Sequence, residues 1–195
     1  MNEQRVATDR LAAFSDAVMA VIITIMVLEL KAPEDATFQS LLPLWPTAIG
    51  YAVSYLFIVI IWINHHHLQR FVRHATPGLI WINFAHLFVV SLLPFATAWM
   101  ARSQLAAAPV TVYAAIFLLV DTAYLVFERE ILAQADSSMM PDRARLLARR
   151  RSLVALAIFA VATLTSPFIP LLGFGLICCA LILYLRPEAL GGGAA

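Results

Sequence analysis

Residues Arg10 to Leu30, RLAAFSDAVMAVIITIMVLEL, form an apolar run long enough to cross a bilayer, which takes about 20 residues as a helix. Polar groups interrupt it. Arg10, Ser15 and Asp16 lie near its start and Thr24 in its middle. Such groups are expensive in lipid and mark a functional segment. On a helix turning about 100° per residue, Ala17, Val21, Thr24, Ile25 and Leu28 fall on one narrow stripe, while Ser15 and Asp16 project to either side of the opposite face. Spacing alone leaves two readings open. In one, the stripe packs on a neighbouring helix and the polar pair caps the end. In the other, the stripe faces a water-filled pore and the polar back holds the helix to its own subunit.

The remaining chain is of the same kind. Apolar residues make up 62% and charged residues 13%, with a mean hydropathy of +0.85, against about 45–50% and about 25% in soluble domains. The expectation is an all-α integral membrane protein whose 195 residues leave little for a separate soluble domain. Further apolar spans are expected at about 44–64, 79–100, 110–127, 153–169 and 170–185, which with 10–30 makes six in a single domain. Residues 186–195 read as a disordered tail. No cleavable leader is expected, because Asp16 and its polar neighbours interrupt the start of the first run. Cys178 and Cys179 are adjacent on a helical segment and point apart, so they read as small apolar residues and not as a disulfide.

The placement of cations orients the spans. With the N-terminus in the cytoplasm, the inner segments carry Arg5, Arg10, Arg70, Arg73, Arg129, Arg143, Arg145, Arg149, Arg150, Arg151 and Arg186, and the outer ones only Lys31 and Arg102. The positive-inside rule then puts both termini in the cytoplasm. The basic run RARLLARRR at 143–151 reads as an anchor on lipid headgroups and not as a nucleic-acid site.

That topology gathers Arg10, Ser15, Asp16, Trp62, Asn83 and a histidine of the 65–67 run, chiefly His66 or His67, at one depth near the cytoplasmic face. Buried polar groups need partners in lipid, so these residues are expected to form a hydrogen-bonded cluster that sets the rotation of the first helix. Consecutive helical histidines diverge, and no carboxylate or cysteine partners stand nearby, so no metal site is expected. The histidine run reads as an interfacial turn, with a pH-sensitive element as the alternative. Asp121 lies inside the fourth span and reads as a structural hydrogen-bonding group, with proton carriage as the alternative. No nucleophile–histidine–acid set, glycine-rich phosphate loop, CxxC pair or HExxH motif occurs, so neither enzymatic activity nor a cofactor is expected.

Arg10-x-x-x-Phe14-Ser15-Asp16 at the head of the first span, WINHHHL at 62–68 and WINFAHLFVVSLLPF at 81–95 together resemble the transmembrane protein 175 family. The resemblance covers about residues 5–100. It implies a potassium-selective channel without the TVGYG filter of ordinary potassium channels, a sequence this chain also lacks. It further implies the bacterial form, with one six-span repeat per chain, homotetrameric assembly, a plasma-membrane location and a pore lined by the first span of each subunit. In that family apolar side chains one turn past the Phe-Ser-Asp motif form the constriction, which is Val21 here, and a hydroxyl layer one turn further on is Thr24. Family members usually have isoleucine or leucine at the constriction. Four valines leave a wider, more easily wetted neck, unless a small rotation lets Ile22 or Ile25 supply the ring.

The expectation is therefore passive K⁺ conduction, with Ala17, Val21, Thr24, Ile25 and Leu28 along the pore and K⁺ as permeant ion. The partners would be copies of itself and membrane lipids, with no soluble substrate. Two other classes stay open: a proton-coupled secondary transporter using Asp121 and His65–His67, and a non-conducting membrane scaffold.

Overall fold

The computed structural model describes residues 3–134 and 142–185. The expected tail at 186–195, with Arg186, lies outside the described residues, as do the side chains of Arg143 and Arg145. Among the described residues every regular element is helical. The order is α1 (Glu3–Met26), a 3₁₀ turn (Val27–Glu29), a second 3₁₀ segment (Phe38–Leu44), α2 (Trp45–Gln69), α3 (Pro77–Val90), α4 (Leu93–Arg102), α5 (Ala107–Gln134), α6 (Asp142–Thr165) and α7 (Pro170–Leu185).

Several helices outrun the apolar stretches that announce them. Nothing breaks α1 between Glu3 and Arg10, so it begins seven residues ahead of the apolar run and ends four residues sooner, tightening to 3₁₀ at Val27. Likewise α2 continues through His65, His66 and His67 to Gln69, so the histidines occupy the last turns of a helix and not an interfacial turn. Histidine carries only a modest helix penalty, and no glycine or proline follows until Pro77. The basic run at 143–151 is likewise helical and leads α6.

The expected span at 79–100 is two helices. Pro94 has no N–H to offer the carbonyl four residues back, and its ring crowds that carbonyl. The chain steps around it: Ser91 N–H donates to Leu87 O and Leu92 N–H to Val89 O before α4 begins at Leu93. α3 itself starts on Thr76, whose hydroxyl accepts from Leu79 N–H at 3.2 Å, with Pro77 in the first turn. α4 closes in a Schellman turn, in which Leu105 N–H donates to Met100 O and Gln104 N–H to Ala101 O.

Among the described residues four stretches are long and apolar enough to cross a membrane: 5–29, 38–69, 77–102 and 107–134. α7 is apolar but shorter, and in α6 the arginines precede the apolar part.

α5 sits at the centre, packed against α2, α3, α4, α6 and α7. Phe57 of α2 stacks on Phe117 of α5 at 3.9 Å, and Phe159 of α6 meets both edge-on at 5.7 and 5.5 Å. Beside this triad runs a buried hydroxyl chain. Ser54 Oγ is 2.7 Å from both Tyr113 Oη and Thr97 Oγ1, and Thr97 donates to Leu93 O. Each hydroxyl has one hydrogen, so the direction is set: Tyr113 donates to Ser54, Ser54 to Thr97, Thr97 to the backbone. Three helices are thereby joined with no buried hydroxyl left over.

α6 and α7 form a tight hairpin across residues 166–169, and here a glycine is required. A Cβ at Gly173 would stand 2.0 Å from Ser166 Oγ, 3.1 Å from Ser166 Cβ and 3.0 Å from Ala162 O. Ser166 Oγ can rotate away, but its Cβ and the Ala162 carbonyl cannot. At Gly50 a Cβ would meet the flexible end of Met100 at 2.9 Å, with Thr97 Cγ2 at an ordinary 3.8 Å. Gly173→Ala is expected to cost about 1–3 kcal/mol by overpacking, and Gly50→Ala much less. Thermal melting of the two purified variants measures the contrast, and equal loss in both would refute it.

Candidate functional site

Of the four membrane-length stretches, the one built on α1 is the least packed by its own chain. Of its apolar window 22% is buried, against 39–44% for the other three membrane-length stretches. The burial is one-sided. Ser15, Met19, Ile22 and Met26, at the i, i+4, i+7, i+11 spacing of one helical face, are buried against α2, α3 and α4. Ala17, Val21, Thr24, Ile25 and Leu28 occupy the other side and are all exposed, Val21 at 53% and Leu28 at 72%. Ile22 faces the bundle of its own chain, at 5% exposure, and lies off the stripe.

The rotation of α1 is held at both ends. At the first end Asn83 of α3 is the hub, wholly buried. Its Nδ2 donates to Ser15 Oγ at 2.9 Å, and its Oδ1 accepts from His65 Nε2 at 2.8 Å. Because an amide oxygen only accepts, His65 carries its proton on Nε2. Ser15 passes its own hydrogen to Leu11 O at 2.9 Å. One turn outward, Trp62 Nε1 donates to Asp16 Oδ1 at 2.8 Å, and Phe14 packs on Phe84 at 5.2 Å. At the other end the Arg102 guanidinium of α4 donates to the Glu29 carboxylate.

Ser15, Asp16, Trp62 and Asn83 thus come together, and three expected members do not. His66 points out of the core and stacks on Trp62 at 5.5 Å, while His67 Nδ1 is 2.8 Å from Ile63 O, inside its own helix. Arg10 is exposed and hydrogen-bonded to no described residue, since the helical turn between it and Ser15 points it to the exposed face of α1. The histidine that enters the network is His65. Its selection is periodic: Ser54, Ile58, Ile61, His65 and Leu68 form one buried stripe of α2. The same period could have singled it out from the sequence, as it places Asn83 and His86 on the buried stripe of α3.

Behind the hub, His65, His86 and Phe127 stack nearly parallel, with His65–His86 centroids 5.9 Å apart and Phe127 4.9 Å from His65. Asp121 is buried on α5, one turn before Tyr124, whose ring lies 6.0 Å from that of His86. Among the described residues no three His, Cys, Asp or Glu side chains converge to hold a metal, and both cysteines are free.

Thr24 is the polar element of the exposed stripe. Its hydroxyl donates to Val21 O at 2.9 Å. With the hydrogen committed to the backbone, the side chain presents only oxygen lone pairs outward, an arrangement suited to a cation and not to an anion. An apolar cleft of about 830 Å³ runs between α1 and α4, and Ala17, Val21 and Ile25 of the stripe line it together with Val18, Phe95 and Trp99.

The family model described as "Endosomal/lysosomal potassium channel TMEM175" matches residues 10–94, which hold most of α1 and its partners Trp62, His65 and Asn83. A potassium channel of Chryseobacterium sp. (strain P1-3) is 34% identical over 180 residues, covering 92% of this chain and 93% of the relative. The chain belongs to the TMEM175 family. The crystal structure of a lysosomal potassium-selective channel TMEM175 homolog from Chamaesiphon minutus superposes with a TM-score of 0.79 at 28% identity, over 92% of this chain and 96% of that one. A more distant TMEM175 relative, the endosomal/lysosomal proton channel of Danio rerio, is 30% identical over 100 residues, 49% of this chain and 19% of the relative. As a member of the TMEM175 family the chain is a multi-pass membrane protein of a channel family, and no enzymatic family is indicated.

Proposed function

We propose that this chain is the subunit of a homotetrameric, potassium-selective channel of a bacterial plasma membrane, with six spans, cytoplasmic termini and a pore lined by α1. The observation that carries the proposal is the two-sidedness of α1: one face buried and hydrogen-bonded, the other exposed and bearing Ala17, Val21, Thr24, Ile25 and Leu28. A lone subunit gives that second face nothing to do. In a fourfold bundle it becomes the wall of a conduit. Val21, Ile25 and Leu28 then stack apolar layers that conduct only when wetted, and Thr24 supplies hydroxyl oxygens for a partly stripped cation. Selectivity follows from the cost of dehydration in an apolar neck, which is lower for K⁺ than for the smaller, more tightly hydrated Na⁺. Lipids form the remaining surroundings.

The names of the bacterial relatives support potassium as the ion. The vertebrate relatives named as proton channels favour one second reading, proton conduction or proton-coupled transport, with Asp121 and the buried His65–His86 pair as candidate carriers. Reversal potential of the purified protein in a planar bilayer, under opposed K⁺/Na⁺ and pH gradients, separates the two. Single-channel steps that reverse near the K⁺ equilibrium potential are the expected result. Currents that follow the proton gradient alone, or no steps with slow pH-driven uptake, would overturn it.

A further inference from the structure

The far end of α1 is built differently from the rest of it. At Val27 the α-helix gives way to a single 3₁₀ turn, Val27–Glu29, closed by Leu30 N–H on Val27 O at 3.0 Å and Lys31 N–H on Glu29 O at 3.1 Å. No residue of that turn is buried, and the chain beyond it has no regular helix until Phe38. Leu28, the last member of the exposed stripe, stands on this turn. Packing within the chain therefore does not fix Leu28 as it fixes Val21, whose neighbour Ile22 is buried. A 3₁₀ turn has poorer hydrogen-bond geometry than an α-helix and holds less firmly by itself.

The turn is tied to the bundle through Glu29, whose carboxylate accepts from the Arg102 guanidinium at the end of α4. The two partners differ in footing. Met100, Ala101 and Leu105 around Arg102 are buried, and the turn after α4 is closed by the Leu105 and Gln104 amides. Arg102 is a cation on a fixed mount, and Glu29 an anion on a loose one. Their pair also bridges a gap. Glu29, Pro94, Ala98 and Arg102 line the apolar cleft between α1 and α4 and also a second one, of about 230 Å³, that takes in Lys31 and Tyr51. The ion pair thus stands where the two clefts meet. With 60% of the Arg102 side chain and 34% of the Glu29 side chain exposed, the tie is a weak one. Such pairs favour the paired state by no more than about fivefold, and salt weakens them.

We propose that Arg102 is a positioning residue for the conduit. Through Glu29 it holds the last turn of α1 against α4, and so sets the separation of the Leu28 side chains, the last apolar layer of the stripe. That layer is consequently tuned by ionic strength, whereas the Val21 layer, on the packed part of α1, is not. The hold on the turn stands by itself; its effect on conduction rests on the pore reading of α1.

The test is electron paramagnetic resonance of the full chain in nanodiscs, with Cys178→Ala/Cys179→Ala as background and a nitroxide label on Leu28→Cys or, for comparison, on Val21→Cys. Raising the salt from about 0.1 M to about 1 M shortens the screening length from about 10 Å to about 3 Å. It should increase the mobile fraction of the label at position 28 by about two- to fivefold and leave that at position 21 unchanged. Arg102→Gln should give the same increase at low salt and abolish the salt response, and Glu29→Gln should do so from the other partner. The charge swap Glu29→Arg/Arg102→Glu should restore the held state, which a role for side-chain bulk alone would not allow. Single-channel recording reads the second step. A loosened Leu28 layer wets more often, so Arg102→Gln should raise the open fraction by up to about fivefold. The rise should disappear in a Leu28→Ala background, where the layer is already gone. Equal mobility at position 28 in wild type, Arg102→Gln and Glu29→Gln, or a swap that fails to restore it, overturns the proposal. An open fraction that rises equally with and without Leu28 overturns the positioning role. Mobility that responds as expected in samples without any flux removes only the pore.

Discussion

Val21→Asn is expected to raise single-channel K⁺ conductance about tenfold, equivalent to about 1.4 kcal/mol off the barrier, and to draw the K⁺/Na⁺ permeability ratio toward one. Val21 is the first large exposed apolar residue of the stripe, just over one turn past Asp16 and one turn before the Thr24 hydroxyl. In the proposed fourfold pore, a ring of four isopropyl groups would repel water, and an ion would have to cross it either dehydrated or through a rare wetted state. Asparagine is of similar size but offers an amide that water and cations can both use, so the wetted state becomes the resting one. Val21→Ala should act in the same direction by width alone, and less strongly. The control is Ile22→Ala. That residue is adjacent in sequence but buried against the bundle, so its loss should lower thermal stability by about 2–5 kcal/mol while leaving permeability unchanged. Should Ile22→Ala change permeability and Val21→Asn leave it untouched, the pore would lie on the other face of α1.

That contrast was legible in the sequence because both faces of α1 obey one period. Ser15, Met19, Ile22 and Met26 repeat at helical spacing, as do Ala17, Val21, Thr24 and Leu28, and no proline or glycine interrupts α1. Legibility failed where composition was uniform or where two segments had to meet. His65, His66 and His67 are chemically identical, so residue type could not say which turns inward; only the stripe running back through Ile61, Ile58 and Ser54 does. The break between α3 and α4 hides in an apolar run, and Pro94 announces it without saying whether the helix bends or divides. The chain of Tyr113, Ser54 and Thr97 comes from three helices, and no local pattern marks its members as partners. Arg10 illustrates the opposite failure. Its place beside Ser15 and Asp16 in the sequence suggested membership of their network, yet the helical turn between them points it to the exposed face of α1.

Asn83→Ala is expected to be the most damaging single truncation at the site, by about 2–6 kcal/mol, because it strands two buried groups at about 1–3 kcal/mol each. Asn83 is wholly buried and supplies both the acceptor for His65 Nε2–H and the donor for Ser15 Oγ. Hydrogen bonds between membrane helices are worth only about 0.6 kcal/mol on average, since partly unfolded helices find other partners in the bilayer. That average does not govern here. The bundle around Asn83 stays folded when the side chain is cut away, so His65 and Ser15 remain in place with no water to replace it. By comparison Trp62→Phe removes one bond at a half-exposed rim, where Asp16 keeps access to solvent, and should cost about 1 kcal/mol or less. The melting temperature of the purified Asn83→Ala oligomer should fall by on the order of 10 °C, and that of Trp62→Phe by a few degrees. A double-mutant cycle supplies the stricter test. Ser15→Ala, added to Asn83→Ala, removes a group already stranded, so it should cost less than Ser15→Ala does alone. Strict additivity would mean that α1 is held by packing of Met19, Ile22 and Met26, with the polar hub incidental. Non-additivity, together with a permeability ratio that drifts only in variants that break the hub, would establish that Asn83 sets which face of α1 the conduit receives.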